Sequence, residues 1–266
     1  MKKIASVLLT LTVALPLFAQ GKFGKDSAEC VKFLSYYSEL VKQNNLEAAA
    51  ESWRGAISVC PPTANQNMFI NGQKIIRYEI KKNAKDPKRV AELVDTLLML
   101  HDRRAENYPK YATKSLDNKA MDILTYLGKD NEKVFNSLSE IIGTIRTSAS
   151  PVVFVREMQA AVGQYKDGKL SADDLMANYD LLNAILEERI AAGNGGEYAG
   201  AKQDFETVFI ESGVASCENL VALYTPRYQA NPTDKDMLSS MVKMLAKSEC
   251  MNTDLFLQAV ESLHSV

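Results

Sequence analysis

The chain has 266 residues, 46% hydrophobic and 24% charged, the proportions of a folded protein rather than a disordered one. Lysine and arginine (31) nearly balance aspartate and glutamate (33), leaving a formal net charge of −2. So weak a field excludes nucleic acid and an anionic membrane surface as partners implied by charge.

At the N-terminus, Lys2 and Lys3 precede the apolar run IASVLLTLTVALPLF, and Ala19-Gln20-Gly21 follows it. A charged start, an apolar stretch too short to span a bilayer and a small-residue exit predict a secretory signal peptide over 1–19, cut after Ala19. A flexible segment is expected over 20–28. The Lys-Lys start and Phe-Ala-Gln exit look like a bacterial export signal. The expected address is the periplasm or cell surface of a Gram-negative bacterium, with no stable membrane insertion after cleavage. Export gives the four cysteines, Cys30, Cys60, Cys217 and Cys250, an oxidising setting. Four cysteines allow three connectivities, and the sequence alone does not choose.

Past residue 28 helical periodicity runs almost everywhere and no convincing alternating strand appears. Caps and breakers predict helices over 29–43, broken at Asn44-Asn45, and over 46–59, stopped by Pro61-Pro62. The next covers 65–82. Another opens at Asp86-Pro87, an N-cap with proline at the first helical position, and ends before Tyr108-Pro109. Helices follow over 112–127, 132–146 and 151–165. Asp167-Gly168 ends the last of these, and Ser171-Ala-Asp-Asp174 starts one that runs to about residue 192. After the loop Gly193-Asn-Gly-Gly196 come 197–211, 217–230, 233–247 and 253–266. Short connections force consecutive helices to lie antiparallel, and an internal period decides between a bundle and a solenoid.

The period is visible in the stretch NNLEAAAESWRGAISVCPPTANQ, which holds the only tryptophan. Counting from Cys30, the second-helix positions read Leu46, Ala49, Trp53, Ala56 and Pro61. They resemble the tetratricopeptide repeat, a 34-residue helix–turn–helix with large and small residues at fixed places. In that pattern small residues let two helices approach while the aromatic fills the groove toward the next repeat. Phe33, Tyr36 and Leu40 fit the first helix more loosely, and Tyr37 occupies a position that is normally small. The best repeat is 30–63, and a weaker one lies in 216–266, with Tyr228-Gln-Ala-Asn-Pro232 leading into Asp236 to Leu245. The middle, 64–213, keeps the helix-pair rhythm without the signature. The resemblance, which extends to exported repeat proteins of the Bacteroidota, implies an all-α solenoid of antiparallel helix pairs over 29–266.

In an antiparallel pair the first residue of one helix lies beside the last residue of the next. Cys30 and Cys60 hold those places in the first pair, and Cys217 and Cys250 hold them around the turn at 230–233. Bridges Cys30–Cys60 and Cys217–Cys250 are therefore expected. The last helix has Leu255, Ala259 and Leu263 at first-helix spacing but lacks the polar face of a cap. The reading favours continuation into further repeats over a terminal cap.

Chemistry is hard to find. Only His101 and His264 are present, and no HExxH, zinc knuckle or GxSxG occurs. His101, alone inside an amphipathic helix, reads as a surface or hydrogen-bonded helix histidine. Asp173-Asp174 and Glu187-Glu188 sit where caps and solvated helix faces place acids. Lys166 to Asp174 imitates half a calcium loop, but Gly163 and Tyr165 fall at the first two ligand positions, so a plain turn is expected. Gly193-Asn-Gly-Gly196 lacks the strand and third glycine of a dinucleotide loop. The basic run from Lys81 to Arg89 reads as a solvated loop. No metal, cofactor or catalytic residue is expected.

What remains is surface. Expected concave positions of the first repeat are Val31, Leu34, Ser38 and Val41. In the next helix Asn67, Asn71, Lys74 and Arg77 fall three to four apart, a polar stripe able to read a partner's backbone. The resemblance to the tetratricopeptide repeat family implies a non-catalytic scaffold that binds another protein in the cell envelope. The alternative is a small-ligand or glycan module built on the aromatic corner Tyr108-Pro-Lys-Tyr111.

Overall fold

A computed structural model describes residues 21–193 and 195–266, with backbone alone at Asp236. The expected signal peptide over 1–19 lies outside the described residues. Among these, twelve α-helices and two 3-10 turns form an all-α protein without strands. The chain divides into two compact units, the first ending at Ala84 and the second covering Lys85–Val266.

The first unit holds α1 (Ser27–Lys42), α2 (Leu46–Val59) and α3 (Asn67–Lys82). Asn44 takes a left-handed backbone (φ 57°), as asparagine does readily, to end the first helix. Asn45 then caps the second by accepting from the Ala48 N–H at 3.2 Å. The contact between α1 and α2 is close because Gly55 faces Phe33: a Cβ there would come within 2.5 Å of the ring. Ala49, Ala56 and Tyr37 are buried in the unit. Trp53 reaches the next helix, donating from Nε1 to the Met68 carbonyl at 2.8 Å. Its ring lies over Gly72, where a Cβ would meet Cζ2 at 2.6 Å. Cys30 and Cys60 form a disulfide with Cα atoms 5.0 Å apart, closing the α1–α2 pair as the spacing predicts.

The second unit holds α4 (Pro87–Asn107), α5 (Ala112–Tyr126), α6 (Asn131–Ile145), α7 (Pro151–Lys166), α8 (Ala172–Ala191), α9 (Gly196–Ile210), α10 (Cys217–Ala230), α11 (Lys235–Lys247) and α12 (Asp254–Ser265). The starts have local causes. Asp86, Asp130, Ser216 and Thr253 each accept a first-turn backbone N–H, and Ser171 with Asp174 completes a capping box. Consecutive helices pack together from α4 to α9 and again from α10 to α12, consistent with a solenoid. Helix α7 is central. It touches α5, α6, α8 and α9, and Val153, Phe154, Met158, Ala160, Ala161 and Val162 are all buried.

Alternate helices also touch: α5 on α7, α7 on α9, then α10 on α12. The stack therefore changes from odd to even helices between α9 and α10. Across that step the joining is mostly by long side chains. Arg227 of α10 bonds Asp180 of α8, and Lys247 of α11 bonds Glu206 of α9. The Cys217–Cys250 disulfide, Cα atoms 5.4 Å apart, holds the start of α10 to the segment after α11, again as expected.

Candidate functional site

The step between α9 and α10 leaves a groove of about 490 Å³ between α8, α10 and α11. A narrower recess of about 30 Å³ extends beneath it toward α9, room for a single water. Helix α8 supplies Asp180, Asn183 and Glu187, spaced three and four residues apart so that they share one face. Leu182, Ile185 and Leu186 on the opposite face are buried and anchor the helix. Helix α10 contributes Tyr224 and Arg227, and α11 contributes Ser239, Ser240 and Lys243. Pro226 lies inside α10, between the two groove residues of that helix, where it removes one backbone donor.

The floor is aromatic. Tyr179 stacks on Phe205 at 5.0 Å and on Phe209 at 4.2 Å between ring centroids. Burial pushes the Tyr179 and Tyr224 phenols far above their usual value, and the Glu206 carboxylate adds to this for Tyr179. Both stay neutral.

Four cations, Lys202, Arg227, Lys243 and Lys247, face three carboxylates, Asp180, Glu187 and Glu206, across the groove and its recess. Arg227 Nη1 donates to Asp180 Oδ2 at 2.5 Å, Lys202 Nζ donates to Glu187 Oε1 at 2.7 Å, and Lys247 donates to Glu206. Burial raises the Asp180 carboxyl against the opposing pull of Arg227. Glu187 feels the same burial, but Lys202, Lys243 and the Asn183 amide outweigh it and hold the carboxyl below its ordinary range. Each groove carboxylate is thus held by a cation.

Of the sequence-predicted surfaces, the α3 stripe and the concave positions of α1 lie in the first unit and the Tyr108-Pro-Lys-Tyr111 corner in the second. Asn67 and Lys74 are exposed on α3 while Asn71 and Arg77 are half-buried, and Arg77 is itself engaged. Val31, Leu34 and Ser38 line a groove of about 440 Å³ with Phe23 and Asn65, so three of the four expected concave positions do share a depression. The Tyr111 ring carries the Arg104 guanidinium at 5.2 Å and the Lys110 ammonium at 5.7 Å, which occupy faces that a sugar would stack on.

His101 is hydrogen-bonded, and fully buried. Its Nε2 pairs with Asp122 Oδ2 at 2.7 Å, and Ser115 Oγ donates to the His101 carbonyl at 3.0 Å. Serine, histidine and aspartate thus meet, but the serine hydroxyl serves the backbone instead of the imidazole, so the trio is not a nucleophile and base. Asp174 caps α8 as expected, and Glu188 is exposed, pairing with Arg146 at 3.2 Å. Glu187, read from sequence as a solvated acid, instead lines the groove half-buried, because its face of α8 meets α9 and α11. Among the described residues no group of three or more His, Cys, Asp or Glu side chains is placed to hold a metal ion, and no helix is long and apolar enough to cross a membrane. No family model matches the chain, and neither a curated protein nor a solved structure matches it.

Proposed function

We propose that this chain is a non-catalytic, tetratricopeptide-like scaffold that holds a segment of another protein in the groove between α8, α10 and α11. The carrying observation is the groove itself. Its size suits a few extended residues, and amide, hydroxyl and charged groups of both signs line it, the mix that a peptide backbone with polar side chains satisfies. The engaged carboxylates favour binding over acid–base chemistry. The scaffold works outside the cytoplasm, a reading supported by the charged, apolar N-terminal run and by two disulfides that an oxidising compartment sustains.

The test is site-specific photocrosslinking in cells, with the photoreactive residue placed at Ser239 in the groove or at Asn71 on the α3 stripe. The expected result is one envelope protein captured repeatedly from Ser239, with its crosslinked segment identified by mass spectrometry. Capture from Asn71 alone would move the binding surface to α3 and refute the groove assignment.

A further inference from the structure

The two disulfides differ in what surrounds them. Cys30 and Cys60 are both buried, at 0% and 6% exposure. The second pair is uneven: Cys250 is buried, at 1%, while Cys217 is exposed as the first residue of α10. Thiol–disulfide exchange needs a thiolate to reach one sulfur of the bond, so an outside thiol has an approach at Cys217 and none at Cys30 or Cys60. The reduced form is also provided for. The Ser248 carbonyl oxygen lies 3.1 Å from Cys250 Sγ and 3.8 Å from Cys217 Sγ, an acceptor for a thiol on either side.

The accessible disulfide is a tie on which α10 depends. That helix buries only Leu220 and Tyr224, and Pro226 takes a donor from its own ladder. Two polar ties supplement the disulfide, Arg227 to Asp180 and the Tyr228 hydroxyl to Ser262 Oγ at 2.8 Å. An element with so little buried apolar surface opens at low free energy, and a cross-link between residues 33 positions apart restricts that opening. Helix α10 also supplies Tyr224 and Arg227 to the groove, so what frees the helix takes away a wall. We propose that Cys217–Cys250 is a redox switch of the groove: a dithiol protein of the Cys-x-x-Cys class reduces it, α10 loosens and the bound segment is released, while Cys30–Cys60 stays closed. The reductant's thiolate attacks Cys217 Sγ, the S–S bond breaks, and Cys250 leaves as a thiolate that takes a proton from water. The reductant's second thiolate then attacks its own sulfur in the mixed disulfide, and Cys217 leaves and is protonated in turn. Two electrons pass to the chain, which gains two thiols, and the reductant ends as a disulfide. The switch rests on the groove being the binding surface for a protein segment.

The experiment treats the full disulfide-bonded chain with graded dithiothreitol and reads three things. Alkylation with iodoacetamide followed by peptide mapping is expected to label Cys217 and Cys250 at least about tenfold faster than Cys30 and Cys60. Equal labelling, or Cys30 and Cys60 labelled first, would overturn the selectivity. Amide hydrogen exchange on the selectively reduced chain is expected to rise about tenfold or more over 217–230 while 175–186 is unchanged. Unchanged exchange over 217–230 would mean that the disulfide does not hold α10, and the switch would fail. The third reading is photocrosslinking from Ser239, with capture expected from the oxidised chain and lost from the reduced one. Cys217→Ser with Cys250→Ser is expected to lose capture with or without dithiothreitol. Equal capture in both redox states would overturn the switch and leave the groove as a peptide site. No capture even from the oxidised chain would refute the groove assignment, and the switch with it.

Discussion

Replacing Glu157 by glutamine tests the most unusual group in the second unit. Glu157 of α7 is fully buried. Its Oε2 accepts from Asn178 Nδ2 at 3.0 Å, and its Oε1 lies 2.7 Å from Ser139 Oγ. Ser139 Oγ is also 2.7 Å from the Phe135 carbonyl. A hydroxyl has one proton, so both short contacts are hydrogen bonds only if the carboxyl carries a proton. Glu157 then donates to Ser139, and Ser139 donates to Phe135. Burial, opposed by the Ser139 and Asn178 bonds, raises the carboxyl from 4.5 to about 7. The folded state therefore keeps a proton that the unfolded chain releases, and stability present below 4.5 is lost as pH rises through about 7. At about 1.4 kcal/mol per pH unit, the gap corresponds to roughly 3 kcal/mol. A glutamine amide can donate to Ser139 Oγ and accept from Asn178, so it preserves the network and has no proton to lose. Urea unfolding followed by circular dichroism, on both proteins at acidic and alkaline pH, reads the effect. The variant is expected to match the parent in acid and to exceed it in alkali by about 2–3 kcal/mol. Parallel pH profiles, or a variant weaker in alkali, would refute the neutral buried carboxyl.

Other substitutions probe the helix contacts. Gly72→Ala places a methyl at 2.6 Å from Trp53 Cζ2, and overpacking of this kind costs about 1–3 kcal/mol. Because Trp53 is the only tryptophan, a red-shifted emission at lower urea reports the change directly, and an unaltered midpoint would mean the ring moves freely aside. Replacing Cys217 and Cys250 together by serine is expected to cost about 2–4 kcal/mol. It should also speed amide exchange first in 217–230, since α10 buries only Leu220 and Tyr224. Uniform exchange across the second unit would contradict that. Arg227→Met removes the cation that Asp180 faces and should weaken peptide capture at the groove, with a smaller effect from Arg54→Met, whose partner Glu79 lies on α3.

Helix ends were legible in the sequence because their causes are local: Asn45, Asp86, Ser171 and Thr253 act within one turn of themselves. The disulfides were legible because each closes one helix pair. Gly55 and Gly72 carry no signal in the sequence, since their need is visible only when Phe33 and Trp53 are placed on them. The groove was invisible for a related reason. Its defining bonds join residues 47 and 41 positions apart, Arg227 to Asp180 and Lys247 to Glu206, and no period predicts them. One signal was available. Asp180, Asn183 and Glu187 make a polar stripe on α8 at the same spacing as Asn67, Asn71 and Lys74, interleaved with the leucines and isoleucine of the same turns.

The buried His101–Asp122 pair separates structural from chemical readings of the only histidine in the described core. His101 is fully buried on α4, Asp122 nearly so on α5, and the two are 2.7 Å apart. Removing one partner takes from the other its 2.7 Å bond in the protein interior. Losing one side of a buried hydrogen-bonded pair costs about 1–3 kcal/mol, whereas replacing both by apolar groups of the same shape is nearly neutral. His101→Leu and Asp122→Leu should therefore each destabilise, and the double replacement should recover much of the loss. A thermodynamic cycle built from urea midpoints measures that coupling. A pair that serves stability alone also makes a second prediction: the double variant still captures its partner at the groove. Loss of capture in a variant of restored stability would give this pair a role that its geometry, with Ser115 turned to the backbone, does not supply.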